Sequence, residues 1–205
     1  KMAAENNVMV GAHPSYRDLV GFGRRKIDVD PEEVRQIMIY QIGALQSFAK
    51  AHGMKLQHVK PHGALNNMAS TDEKLAMAIA EAIKEVDDSL IFVALGGSAM
   101  YSAAKEVGLR AASEVFADRA YNLDGTLVSR KYDGAVIEDP SKVKQRVLRM
   151  VKEGEVETID GQTLEVKADT VCVHGDNPSA IDLVSELTSE LEKNNVDITA
   201  MDEIV

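Results

Sequence analysis

Four separate stretches of this 205-residue chain follow one plan: a short apolar run, a dense polar patch, then a helix-forming segment. Val8-Met9-Val10-Gly11-Ala12 leads into His13-Pro14-Ser15-Tyr16-Arg17-Asp18, and Leu56-Gln57-His58-Val59 leads into Lys60-Pro61-His62-Gly63. Ser113-Glu114-Val115-Phe116-Ala117 leads into Asp118-Arg119-Ala120-Tyr121, and Thr170-Val171-Cys172-Val173 leads into His174-Gly175-Asp176-Asn177. In a parallel α/β protein the C-terminal strand ends share one face, and chemistry is done there. The repeated plan therefore predicts a parallel sheet or barrel with polar residues gathered at one end of it.

Helix starts are marked by their caps. Asp30-Pro31 with Glu33, Ser70 with Glu73, Asp139-Pro140 and Asn177-Pro178 each read as an N-terminus, because a short acceptor side chain satisfies the open first-turn amides. A shorter helix fits Ser98 to Val107, between Gly97 and Gly108. Strands are expected at 8–11, 57–60, 90–95, 110–116 and 170–174. Leu90-Ile91-Phe92-Val93-Ala94-Leu95 has no polar alternation, which suits a strand covered on both faces. Glu155 to Lys167 breaks the plan and reads as a β-hairpin on the Asp160-Gly161 turn. Asp124-Gly125 marks a second excursion, reaching about Ile137.

No linker, repeat or low-complexity tract appears, so a single domain spanning 1–205 is expected. Lys1 to Asn7 reads as the tail of a helix running into a strand. Five core strands are few for a closed barrel, and both points suggest that N-terminal strands precede this segment.

The net charge of −10 argues against general polyanion binding, and the absence of Trp argues against stacking platforms for single strands. No apolar stretch approaches the ~20 residues of a membrane span. The one cysteine, Cys172, excludes an internal disulfide and is expected to be a buried core residue. A soluble protein of a reducing compartment, the cytoplasm, is the default.

Each polar patch has a chemical reading and a plainer one. His13 can be a base or a substrate-binding group, with Arg24 and Arg25 in the glycine-flanked loop as an anion clamp; the plainer reading is a surface loop. Lys60 ends an apolar strand and must send its ammonium to water, a partner or a substrate. His62 follows two residues later, where it can face the same way, and Asn66 and Asn67 sit one turn further on. Asp118 and Arg119 can pair with each other or serve an anionic substrate, and Tyr121 can add a hydroxyl. His174 and Asp176 precede a helix start, where an anion-facing site forms readily; alternatively Asp176 only complements the helix dipole. These His and carboxylate patches could also hold a divalent metal, although neither HExxH nor CxxC is present. Gly96-Gly97-Ser98 reads as a tight turn more readily than as a phosphate cradle. His52 and His58 read as structural.

Taken together, GAHPSYRDLVGFGRR, HVKPHGAL, EVFADRAY, DGTLVSR and VCVHGD resemble the LamB/YcsF family across nearly the whole chain. The resemblance implies a deacetylase-like, seven-stranded (β/α) barrel, incomplete here at the N-terminus. It implies ATP-dependent opening of 5-oxo-L-proline to L-glutamate, with the B and C subunits of 5-oxoprolinase as partners and Mg accompanying ATP. Asn66 stands where the family usually has Tyr. Opening an unreactive lactam needs cations for phosphate and carboxylate, and a base for water. Lys60, Arg119 and Arg24 are the cation candidates; His62, His174, Asp118 and Asp176 are the base or orienting candidates. Two alternatives stay open: a metal-dependent deacetylase or amidohydrolase, and a non-catalytic binding subunit.

Overall fold

The computed structural model describes residues 1–175 and 180–205. The chain divides into two compact units, Lys1–Ala112 with Val205, and Ser113–Ile204. The division falls inside one strand.

The first unit opens with the four-residue helix Met2–Glu5 (α1) and the strand Val10–Ala12 (β1). The 21-residue helix Pro31–Ala51 (α2) follows. Its start is set as expected: the Asp30 carboxylate accepts from the Glu32 amide, and Pro31 supplies a preset first-turn φ. Val34, Ile37, Met38 and Ile42 line its buried face, the spacing of one helical stripe. Gly53, with φ +72°, turns the chain away into Leu56–Val59 (β2). Gly63–Ala69 (α3) and Glu73–Val86 (α4) come next.

The cap of α4 corrects the expectation placed on Ser70. Asp72 is the N-cap, accepting from the Leu75 amide at 3.0 Å. Ser70 instead closes α3, its hydroxyl donating to the Asn66 carbonyl at 2.8 Å. Two acceptor side chains stood within reach of this start, and the one nearer the first helical turn took the role.

Ile91–Leu95 (β3) is buried at every position, as its unbroken apolar run predicts. Each large side chain there contributes about 1.5–3 kcal/mol by leaving water. Ala99–Val107 (α5) starts at Ser98, whose hydroxyl accepts from the Tyr101 amide, and stops at left-handed Gly108. β1 pairs in parallel with β2, and β2 in parallel with β3. α4 packs against both α2 and α5. The resulting core includes Val34, Met38, Ile42, Leu65, Ile79, Ile83 and Phe92.

The strand Ala111–Phe116 (β4) begins in the first unit and ends in the second. Pro140–Lys152 (α6) is capped by Asp139, and buries Val143, Val147 and Met150. Glu155–Glu157 (β5) and Thr163–Glu165 (β6) form the expected antiparallel hairpin, with Gly161 at φ +75° in its turn. Thr170–Cys172 (β7) pairs in parallel with β4, Phe116 opposite Cys172. Ala180–Lys193 (α7) packs on α6, and a 3-10 turn spans Met201–Glu203. The helix start expected at Asn177-Pro178 lies outside the described residues.

Parallel strands alternating with helices bear out the α/β class. Cys172 is half-buried rather than fully enclosed. It lies on a three-residue strand whose residues are all only partly covered. Among the described residues no helix is long and apolar enough to cross a membrane.

Candidate active site

Backbone hydrogen bonds carry the β1–β2 pairing past both strand ends. The Lys60 amide donates to the Ala12 carbonyl at 2.9 Å, and the His62 amide to Pro14 at 2.8 Å. This extension sets the first polar patch against the second. His13 Nδ1 lies 2.6 Å from the Lys60 carbonyl oxygen, and His13 Nε2 lies 2.9 Å from His62 Nδ1. His62 Nε2 in turn lies 2.8 Å from the Phe22 carbonyl oxygen. Both ring nitrogens of each histidine are thus engaged.

The loop 18–25 closes over this pair. Phe22 adopts φ +53°, a left-handed conformation costly for a bulky residue. That conformation accompanies the His62 contact with its carbonyl, while the Phe22 ring meets the His62 ring edge-on at 5.1 Å. The Arg24 guanidinium sits 5.4 Å from the centre of the Phe22 ring, a cation–π contact. Gln41 on α2 brackets Ser15, accepting from its amide and donating to its carbonyl.

Asp18 anchors the loop. Its side chain is 1% exposed, accepts from the Gly21 amide at 2.9 Å and forms an ion pair with Arg25. Arg25, expected in the anion clamp, is therefore committed to holding the loop. The Arg25 hydrogen bond draws the Asp18 carboxyl from its ordinary 3.8 down to about 2, with the Gly21 amide adding to it. A carboxyl held low when folded stabilises fully above its ordinary value and loses that contribution as pH falls through the folded value. The Asp18 clasp should therefore weaken as pH falls below 3.8 and open as it falls through about 2. In Arg25→Ala the Asp18 carboxyl should move up toward its ordinary 3.8, read by carbon NMR. A value staying near 2 would contradict the clasp.

Lys60 is half-buried, and Asn66 is buried on α3 beside Asn67. The His58 ring lies against Gly11, so closely that a Cβ there would meet its Nε2 at 2.1 Å. Burial holds the His58 imidazole below its ordinary value, with Lys60 adding to the effect, which fits its structural reading.

In the second unit, pairing of β4 with β7 joins the other two patches. His174 Nδ1 lies 3.1 and 3.2 Å from the two Asp118 oxygens. The His174 ring stacks on Phe116, centroids 6.0 Å apart and 28° from parallel. Arg130 brings a guanidinium nitrogen to 3.5 Å from His174 Nε2. Burial pushes the Asp118 carboxyl up, but the His174 hydrogen bond and charge, with Arg130, outweigh it and hold the group below its ordinary value. An ionised Asp118 accepts the Nδ1 proton, so that the Nε2 lone pair faces the Arg130 guanidinium. This is the tautomer a general base requires.

Two neighbouring expectations are corrected. The Tyr121 hydroxyl accepts from the Phe116 amide at 2.9 Å inside the core, and burial pushes it up to about 12. It braces the end of β4 rather than facing a substrate. Arg119 is also buried, its guanidinium donating to the carbonyls of Val128 and Ala135. It fastens the excursion 119–137 rather than a ligand. Asp176 lies outside the described residues.

Arg130 is the residue that sequence reasoning missed. It sits in the DGTLVSR block, and only the bridges Tyr121–Leu127 and Arg119–Val136 reveal how that excursion folds back. Among the described residues no group of three or more His, Cys, Asp or Glu is placed to hold a metal ion.

Parallel strand–helix units ending in polar loops, one with an Asp–His pair beside an arginine, define an α/β protein with enzyme-like strand-end chemistry. The LamB/YcsF family model matches residues 1–205, and the chain belongs to that family. A Campylobacter jejuni protein, named as the A subunit of 5-oxoprolinase, is 52% identical over 204 residues, covering 100% of this chain and 80% of that one. A protein of the same name from Pyrococcus abyssi is 52% identical over 205 residues, with the same coverage. The crystal structure of a lactam utilization protein from Thermus thermophilus superposes with a TM-score of 0.89 at 45% identity. It matches over 97% of this chain and 79% of that one.

Proposed function

We propose that this chain is the A subunit of an ATP-dependent 5-oxoprolinase, opening 5-oxo-L-proline to L-glutamate together with B and C subunits. The relatives' shared name supports the substrate class. The observation that carries the chemistry is the Asp118–His174 pair with Arg130 alongside.

A lactam carbonyl is a poor electrophile. Transfer of the ATP γ-phosphoryl group to the ring oxygen makes the carbon attackable. With ADP released, water adds to that carbon, the ring C–N bond breaks and the nitrogen takes a proton, which leaves an acyl phosphate of glutamate; a second water then hydrolyses this to glutamate and inorganic phosphate. His174 is the group we assign to take the proton from water, with Asp118 fixing its tautomer and stabilising the imidazolium. Arg130 offers fixed positive charge to the anionic intermediate. His62, with both nitrogens engaged, is reassigned from base to positioning residue. Lys60 and Arg24 are proposed as anion-binding cations of the first unit's strand-end patch, and Mg as the companion of ATP.

The deciding assay follows glutamate release from 5-oxoproline and ATP, with partner subunits added and withheld. Release that requires all three subunits and ATP is expected. ATP-independent release by this chain alone would overturn the reading.

A further inference from the structure

The outer face of α2 carries two large aromatic rings in water. Tyr40 is 73% exposed and Phe48 is 68% exposed. Ala44, Ser47 and Ala51 are exposed with them, and positions three and four apart share one helical stripe. From Gln36 to Ala49 the helix has no charged residue. The exposed face of α4, by contrast, carries Lys74, Glu81 and Glu85, as a solvated helix normally does. The Ser47 hydroxyl donates to the Gly43 carbonyl at 3.1 Å, so its proton is satisfied without water. Aromatic rings flanking small side chains, with charge excluded, is the composition of an interface core rather than of a wetted surface.

The pattern is also balanced end to end. Tyr40 and Phe48 stand equally far on either side of Ala44. The first turn of α2 is acidic, with Glu32 and Glu33, and its last turn is basic, with Lys50. A second α2 reversed about Ala44 therefore brings Tyr40 level with the partner's Phe48. It also sets each acidic first turn toward a basic last turn, and opposes the two helix dipoles. The small side chain of Ala44 at the crossing lets the helices approach closely. The net charge of −10 makes most of the surface repel another copy, whereas this face is uncharged along its length and complementary to itself at its ends. We infer that two copies of this chain pair through α2, antiparallel about a two-fold axis at Ala44. One helix pair buries less than the ~1,200 Å² of a stable interface, so a dissociation constant of about 1–100 μM is expected.

Sedimentation of the purified full chain from about 5 to about 500 μM tests this, with a monomer–dimer equilibrium expected in that range. Ala44→Arg places two like charges at the axis and should weaken association about tenfold or more. Its melting temperature in dilute solution should stay unchanged, because the position is exposed. Ala44→Cys should give a disulfide-linked dimer on mild oxidation, above the background set by Cys172 in the unaltered chain. A chain that stays monomeric up to about 500 μM overturns the inference. A dimer that Ala44→Arg leaves as tight, or that Ala44→Cys does not link, overturns it equally. Hydroxyl-radical labelling of Tyr40 and Phe48 should fall as the chain alone is concentrated. Labelling that falls only when partner subunits are added would assign the face to one of them and refute the pairing.

Discussion

Replacing Gly63 with alanine is expected to lower the melting temperature by roughly 5–15 °C, the equivalent of about 2–4 kcal/mol. Two independent faults combine at this position. Gly63 sits at φ +60°, where a Cβ is strained. The added Cβ would also lie 2.5 Å from the Gly23 carbonyl oxygen. That oxygen is backbone and accepts from the Ala64 amide at 2.9 Å, so it cannot simply turn aside. Gly43 in α2 is the control. Nothing lies within 4 Å of its ideal Cβ and its φ is helical, so Gly43→Ala should stabilise by about 0.5–1 kcal/mol. Equal effects of the two changes, read by calorimetry, would show that the close approach at Gly63 is not what matters.

Loss of the proposed base, His174, should have the largest effect on activity. His174→Gln within the reconstituted enzyme is expected to reduce kcat by about 10²–10⁴, the usual contribution of a positioned acid–base group. Asp118→Asn should fall in the same range, because an amide can hold the wrong imidazole tautomer. Neither change should much alter KM if the pair acts on water rather than on substrate binding. Near-normal turnover in both variants would remove the assignment, while leaving the family membership untouched.

Much of the fold was legible because its signals are local. Asp30 and Asp139 cap the helices they were expected to cap, since an N-cap bonds an amide only two or three residues away. The all-apolar run over 90–95 identified a strand buried on both faces. The site was legible as four patches but not as geometry. Arg119 and Tyr121 have the residue types of a substrate site, yet both are turned inward to satisfy backbone groups. Nothing in a one-dimensional pattern distinguishes an arginine that binds carbonyls from one that binds a ligand. Arg130 was hidden for the converse reason: its approach to His174 spans 44 residues, and depends on how the intervening excursion folds back.

The left-handed turn at Phe22 also bears on how the chain acquires its shape during synthesis. Its carbonyl waits for a ring 40 residues further along, and the Gly23 carbonyl waits for the Ala64 amide. A newly made 18–25 segment therefore emerges without the partners that justify its conformation. It gains them only after β2 and the start of α3 have followed it out. Chain made up to about residue 50 should thus carry a floppy, apolar-tipped loop, in which Leu19, Val20 and Phe22 are exposed even in the finished fold. For the nascent chain, that interval is when this loop is most open to proteases and chaperones.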